Sequence, residues 1–289
     1  MSNIWELDFY SRPLLDNNNK KIWELLICDR DRQFEWVREC PSTEVNSEWL
    51  ANQLAECVES VGDTPIKIRF FRPSMTNIIM RGCKLAGITG QASRRVFTMS
   101  TWLAERMTSI YPNRDGFQAV DPNPLPLKVL AAQDPKPVPD ALMGERWILV
   151  SLKAGDFADA EEWSMDFSEL VDISRLDPDT IISGIIIISA RATALAAWMS
   201  GVDPVFIKFE RNLLPDRTFG DRMQMQLEAS ADARWVLSNL QSPKDQEAIA
   251  QGLSFEKSKQ ESQGFHFLAV QTSPDMEHFA GFWMLKEVV

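Results

Sequence analysis

Two histidines in 289 residues, His266 and His278, leave little material for a hydrolytic triad. No nucleophile-elbow pattern, glycine-rich phosphate loop or dinucleotide fingerprint accompanies them. His266 sits inside an apolar strand pattern, where a hydrogen-bonded structural histidine is expected. Cysteine is also scarce. Cys28, Cys40, Cys57 and Cys83 are 12, 17 and 26 residues apart, so no close Cys or His pair has the spacing of a zinc site. Each falls in a segment that reads as strand or helix, so buried, reduced thiols are expected, with no metal and no cofactor. Long apolar runs are missing as well. Ile185 to Ile188, with Ile181 and Ile182 just before, is far short of the ~20 residues of a membrane-spanning helix. No charged-then-apolar leader opens the sequence, since a strand begins at Ile4, and a cytoplasmic location is the expectation.

What is present is ordinary in bulk and uneven in detail. Hydrophobic residues make up 45% and charged residues 25%, enough for a full core, and the length suits about two domains. The net charge of −11 argues against a polyanionic partner until it is divided along the chain. Between Ile66 and Arg114 lie Lys67, Arg69, Arg72, Arg81, Lys84, Arg94, Arg95, Arg106 and Arg114, against the single acid Glu105. That segment carries +8 and the remaining 240 residues carry −19. Local potential, not net charge, attracts a phosphate backbone.

Seven prolines between Pro112 and Pro139 interrupt regular structure. They mark a semi-rigid connector over 116–139 between an N-terminal domain, 1–115, and an acidic C-terminal domain, 140–289. In the first domain, Trp5, Leu7 and Phe9 alternate with Glu6, Asp8 and Tyr10, the period of a half-buried strand. Turn chemistry at Asp16 to Asn19 leads to strands over Lys21 to Cys28 and Gln33 to Glu39. Leu50, Leu54, Cys57, Val58 and Val61 recur at helical spacing, with Asn46 or Ser47 as N-cap and Gly62 as the stop. A strand at Ile66 to Phe71, a helix at Ser74 to Ala86, a strand at Arg94 to Met99 and a helix at Thr101 to Ile110 complete the domain. The order β-β-β-α-β-α-β-α is that of a ribonuclease-H-like fold.

The second domain reads as α+β or α/β. Strands are expected at Arg146 to Leu152, Gly184 to Ser189, Val205 to Phe209, Met223 to Leu227, Trp235 to Leu237, Phe265 to Gln271 and Gly281 to Lys286. Helices are expected over Ala192 to Met199 and from Ser242-Pro243-Lys244-Asp245, which has a capping-box start.

Three functional readings follow. In the first, Lys67, Arg69 and Phe71 alternate onto one strand face, beside Arg72 and beside Arg81 and Lys84 on the next helix, with Arg94 and Arg95 entering the following strand. Cations interleaved with an aromatic ring suit single-stranded nucleic acid. The alternative for the same residues is a solvated face, or one paired with the acidic second domain. In the second reading, a metal-dependent nuclease would gather Asp8, Glu44 or Glu48, and Glu105 around two metal ions. The fourth strand, however, ends Phe70-Phe71-Arg72-Pro73 without an acid, and Glu6 and Asp8 equally fit the wet face of a strand. The third reading is a protein-only assembly scaffold. The ten tryptophans are spread over both domains and are read as core anchors.

The opening Ile4-Trp5-Glu6-Leu7-Asp8-Phe9-Tyr10-Ser11-Arg12-Pro13, followed by Lys20-Lys21-Ile22-Trp23-Glu24-Leu25, resembles the start of the Tab-two/Atab-two family. Phe70-Phe71-Arg72-Pro73, Gly264-Phe265-His266-Phe267-Leu268-Ala269-Val270-Gln271 and Gly281-Phe282-Trp283-Met284-Leu285 extend the resemblance to the last strand. Members occur in cyanobacteria and in chloroplasts of algae and plants. The resemblance implies an RNA-binding, non-enzymatic translation activator acting at the 5′ untranslated region of the messenger for a photosystem I reaction-centre protein. It implies partners in RNA, the translation machinery or photosystem assembly factors, and a cyanobacterial cytoplasm or plastid stroma. It assigns no RNA-contacting residue.

Overall fold

The structure, a computed structural model, describes residues 3–119, 134–211, 222–241 and 244–288. The chain divides into two compact units, Met1–Ala131 and Ala132–Val289.

The first unit is built on a long strand, β1 (Ile4–Leu15), which turns back into β2 (Lys21–Asp29). The Asp16 carboxylate closes the turn by accepting from the Asn18 and Lys20 N–H groups, with Asn19 at φ +58°. After β3 (Glu35–Cys40), helix α1 (Ser47–Val61) starts where the Asn46 side chain accepts from the Glu48 and Trp49 N–H groups, both at 2.9 Å. It stops at Gly62, whose φ of +75° only glycine adopts without strain. Then come β4 (Lys67–Phe70), a single 3-10 turn at Pro73–Met75, α2 (Thr76–Leu85), β5 (Thr89–Ala92) and α3 (Phe97–Glu105). The observed element order is the one read from the sequence. The sheet order is β3-β2-β1-β4-β5, antiparallel across the first three strands and parallel from β1 through β4 to β5.

Trp5, Leu7, Phe9, Ile68 and Phe70 project to one face of this sheet. They pack there with Leu50, Leu54 and Cys57 of α1 and Ile79 and Cys83 of α2. The opposite face meets α3 through Met99, Trp102 and Leu103, which pack with Leu26, Cys28 and Phe71.

The strand expected over Arg94 to Met99 is corrected. The fifth strand is Thr89–Ala92, and Arg94 and Arg95 lie in the turn ahead of α3. Ser93 ends the strand by accepting the Arg95 N–H at 2.9 Å. Val96, Met99, Trp102 and Leu103 are three and four residues apart and form the buried stripe of a helix. Read in isolation, the first of these positions resemble a strand.

Both ends of the expected connector are tied down. The Leu15 N–H donates to the Gly116 carbonyl and the Gln118 N–H to the Pro13 carbonyl, each at 2.9 Å. At the far end, β6 (Lys136–Pro137) joins a sheet of the second unit and Val138 enters its core. The intervening 120–133 lies outside the described residues.

The second unit continues with β7 (Arg146–Lys153), β8 (Met165–Glu169), β9 (Ile181–Ile188), α4 (Ala192–Val202), β10 (Pro204–Arg211), β11 (Arg222–Ala229), β12 (Ala233–Gln241), α5 (Gln246–Glu261), β13 (Phe265–Gln271) and β14 (Phe279–Lys286). The start expected for α5 at Ser242 and Pro243 lies outside the described residues, and Asp245 holds the N-cap position. Two sheets form, β10-β11-β12-β6 and β7-β9-β13-β14-β8. An apolar core holding Ile185, Ile207, Met225 and Leu268 includes residues of both sheets, with Leu195 and Met199 of α4. Gly184 is required in β9 because a Cβ there would stand 2.1 Å from the Phe267 ring.

The edge strand β10 is capped by side chains. The Ile207 N–H donates to His266 Nε2 at 2.8 Å, the Ile207 carbonyl accepts from Lys259 Nζ at 2.8 Å, and the Phe209 N–H donates to Glu256 at 2.7 Å. His266 is thus the structural histidine expected. His278 is partly exposed, between Ser164 and Asp166. All four cysteines are free and buried, and burial pushes the Cys40, Cys57 and Cys83 thiols up to about 12. Among the described residues no helix is long and apolar enough to cross a membrane.

Candidate nucleic-acid interface

The alternation along β4 is as the sequence required, with Ile68 and Phe70 on one face and Arg69 and Phe71 on the other. What differs is the fate of the second face. Helix α3 packs against it, so Arg69 is only 1% exposed and Phe71 is buried beside Met99 and Trp102. The expected basic face is therefore interior. Ile66, the expected start of this strand and in step with Ile68 and Phe70, instead precedes it and is 65% exposed.

Inside, the charges form a network across β1, β2 and the chain around α3. Asp8 accepts from Arg12 Nη1 at 2.7 Å and from Arg72 through both Nε and Nη2. Arg12 Nε reaches Glu24 at 3.1 Å, and Glu24 also accepts from Arg106 at 2.6 Å and from the Tyr111 hydroxyl. Glu6 accepts the Met99 N–H at 2.7 Å, tying the first turn of α3 to β1. Arg72 also stacks on the Tyr10 ring at 4.0 Å. Burial opposes ionisation of Asp8, but the Arg12 and Arg72 guanidinium groups more than offset it and hold the carboxyl below its ordinary value. Burial, reinforced by Glu24, pushes the Tyr111 hydroxyl up to about 12 despite Arg12.

Two readings of the acids are corrected here. Glu6 and Asp8 are not the wet face of a strand, being 4% and 1% exposed. The acids proposed to converge on metal ions are also apart in role. Asp8 is held by two arginines, Glu105 pairs with Arg32 at 2.6 Å, and Glu44 and Glu48 are exposed at the start of α1. Among the described residues no three His, Cys, Asp or Glu side chains are grouped to hold a metal.

The eight residues singled out for binding thus separate. Arg69, Phe71, Arg72, Arg94 and Arg95 are buried, and Lys67 is half-buried opposite Thr89. Arg81 and Lys84 are exposed, one turn apart on α2, and neither makes an ion pair among the described residues. Arg12, Glu24, Arg106 and Tyr111 were not anticipated. Their signal was present: Arg12 continues the two-residue period of Glu6 and Asp8, and Glu24 interrupts an otherwise apolar strand. Among the described residues of this unit the buried charged side chains are those of Arg12, Arg69, Arg72, Arg94 and Arg95 and of Glu6, Asp8 and Glu24. No tryptophan is fully exposed: Trp5, Trp102 and Trp283 are buried and the others half-buried, so none forms a stacking row on the surface.

Comparison with known proteins places this geometry in a family. Residues 4–106 match a family model described as RNA-binding protein Tab2/Atab2 N terminal, and residues 125–286 match the corresponding C-terminal domain. "Protein TAB2 homolog, chloroplastic" of Zea mays is 32% identical over 292 residues, covering 98% of this chain and 71% of its own. The protein of the same name from Arabidopsis thaliana is 32% identical over 295 residues, covering 98% and 74%. A simian T-cell lymphotropic virus intasome, solved in complex with a PP2A regulatory protein, aligns over 38% of each chain at 17% identity. Its TM-score of 0.28 is too low to bear on fold or function. The chain belongs to the Tab2/Atab2 family of RNA-binding proteins.

Proposed function

We propose that this protein binds messenger RNA through its first unit and supports translation of photosystem messengers, foremost that of the photosystem I reaction centre. The observation that carries the reading is the exposed cation pair Arg81 and Lys84, in a chain of net charge −11 that belongs to an RNA-binding family. The sheet order of the first unit is read as a ribonuclease-H-like core, with the guanidinium groups of Arg12 and Arg72 set against the first-strand acid. The role is that of a binding protein, not an enzyme, working in a cytoplasm or its plastid counterpart. The acidic second unit is assigned to protein partners such as the translation machinery or photosystem assembly factors.

The test is a titration of labelled photosystem I leader RNA with the full-length protein at two salt concentrations, with magnesium present. Binding that weakens steeply with salt and leaves the RNA intact supports the reading, because phosphate contacts release counterions. Magnesium-dependent cleavage lost on Asp8→Asn would return the nuclease. No binding at low salt would leave the assembly scaffold.

A further inference from the structure

The geometry points to the outer strip made by the exposed side of α2 and the edge strand β5 as a groove for single-stranded RNA. This placement rests on the RNA-binding reading and makes it specific.

Ile79, Gly82 and Cys83 pack inward on α2, which leaves Asn77, Met80, Arg81, Lys84 and Leu85 exposed along one side. Strand β5 is the last in its sheet and pairs only with β4. Met80 links the two elements, since a Cβ on Gly90 would stand 3.2 Å from its sulfur. Along β5, Gly90 and Ala92 share the α2 face with Ile68 and Phe70, so the wall beside Met80 is low, and the outer edge of the strand pairs with no further strand.

Charge selects the occupant. No acidic residue occurs between Ile66 and Ala104, so nothing within the segment opposes a polyanion. Arg81 and Lys84 make no ion pair among the described residues, whereas Arg72, Arg106 and Arg114 are engaged by Asp8, Glu24 and Glu39. The apolar exposure selects between strand states. Met80 at 42% and Leu85 at 54% are unusually exposed, and flexible apolar side chains pack against bases only where those are unstacked. A duplex offers its phosphates but keeps its bases inside. A polyacidic peptide would satisfy the cations but brings no ring or apolar group to cover Met80 and Leu85.

The experiment uses the full-length protein and three labelled probes: a mixed-sequence RNA single strand of about 20 nucleotides, the same sequence as a duplex, and a polyglutamate peptide. Wild type is expected to bind the single strand more tightly than the duplex or the peptide. Arg81→Glu with Lys84→Glu is expected to weaken single-strand binding at least about tenfold and to flatten the salt dependence by about 1.4 in log–log slope. Met80→Ala with Leu85→Ala should reduce the preference for single strand while leaving the salt slope intact. Lys20→Glu with Lys21→Glu, on the distant β1–β2 turn, serves as the charge-matched control and should have a smaller effect. Unchanged thermal unfolding of the Arg81/Lys84 variant confirms that it is folded. RNA binding indifferent to that variant would overturn this placement while leaving the RNA-binding reading intact. Tighter binding of duplex or of polyglutamate would overturn the choice of occupant. If wild type bound no RNA of either form, both readings would fall.

Discussion

Arg72 and Arg81 are nine residues apart in one basic segment, yet they do opposite things. Arg72 leaves the end of β4 toward the sheet interior, grips Asp8 and lies on Tyr10. Arg81 leaves the far side of α2 into solvent and makes no ion pair among the described residues. Sequence charge alone counts them equally. The helix packed over one face of the sheet separates them, turning the strand cations into a structural network and leaving the α2 cations for a ligand. A positive run therefore overstates the surface potential of a fold when its cations alternate along a strand that a later helix covers.

If this contrast is right, the largest effects come from breaking the interior. Asp8→Ala strands Arg12 and Arg72 in a dry site and is expected to cost about 3–5 kcal/mol. Hydrogen exchange of β1 and β4 amides is the suitable readout, because a chain of two units need not unfold in one step. A loss under about 1 kcal/mol would show that the network is solvated and that the contrast is false. The same residue gives a pH signature. Its native carboxyl is held below its ordinary value, so its contribution is present above the unfolded value of about 3.9 and is lost as pH falls through the native one. First-unit stability should thus decline below about pH 4, and Asp8→Asn should remove that slope in hydrogen-exchange measurements across the range.

The second unit provides a comparison of cores. Its Gly184 lies under the Phe267 ring in an apolar layer, so Gly184→Ala should overpack it and cost about 1–3 kcal/mol with no pH dependence. A smaller loss in urea unfolding followed at Trp283 would mean that the ring can move aside. At the N-terminus of α1, Asn46→Ala removes the acceptor for two N–H groups and should cost about 1 kcal/mol, read as faster exchange of the Glu48 and Trp49 amides. The smallest effect on stability belongs to the exposed pair. Arg81→Glu with Lys84→Glu should stay within about 0.5 kcal/mol of wild type in thermal unfolding while weakening RNA binding.

Much of the fold was legible because its signals are local. Asn46 and Gly62 bracket α1, Trp5, Leu7 and Phe9 give β1 its period, and the apolar stretch around Ile185 gives β9. The fifth strand was misplaced because Thr89-Gly90-Gln91-Ala92 has little strand character of its own. It is held by pairing with β4 and by the fit of Gly90 under α2, and both are tertiary. The candidate site was half legible for the same reason. The period of β4 correctly separated Arg69 from Ile68, but periodicity says which residues share a face and not what covers it. Glu24 within an apolar strand and Arg12 in step with Asp8 were the available warnings that this face is a closed ion network.

The most direct test of the division between interior and surface cations is photo-crosslinking of thiouridine-containing leader RNA to the full-length protein, with the attachment sites mapped by mass spectrometry. Crosslinks concentrated between Asn77 and Gln91 are the predicted result. Crosslinks confined to 134–288, or found at Arg69, Arg72 and Arg95 with Asn77 to Leu85 untouched, would contradict it.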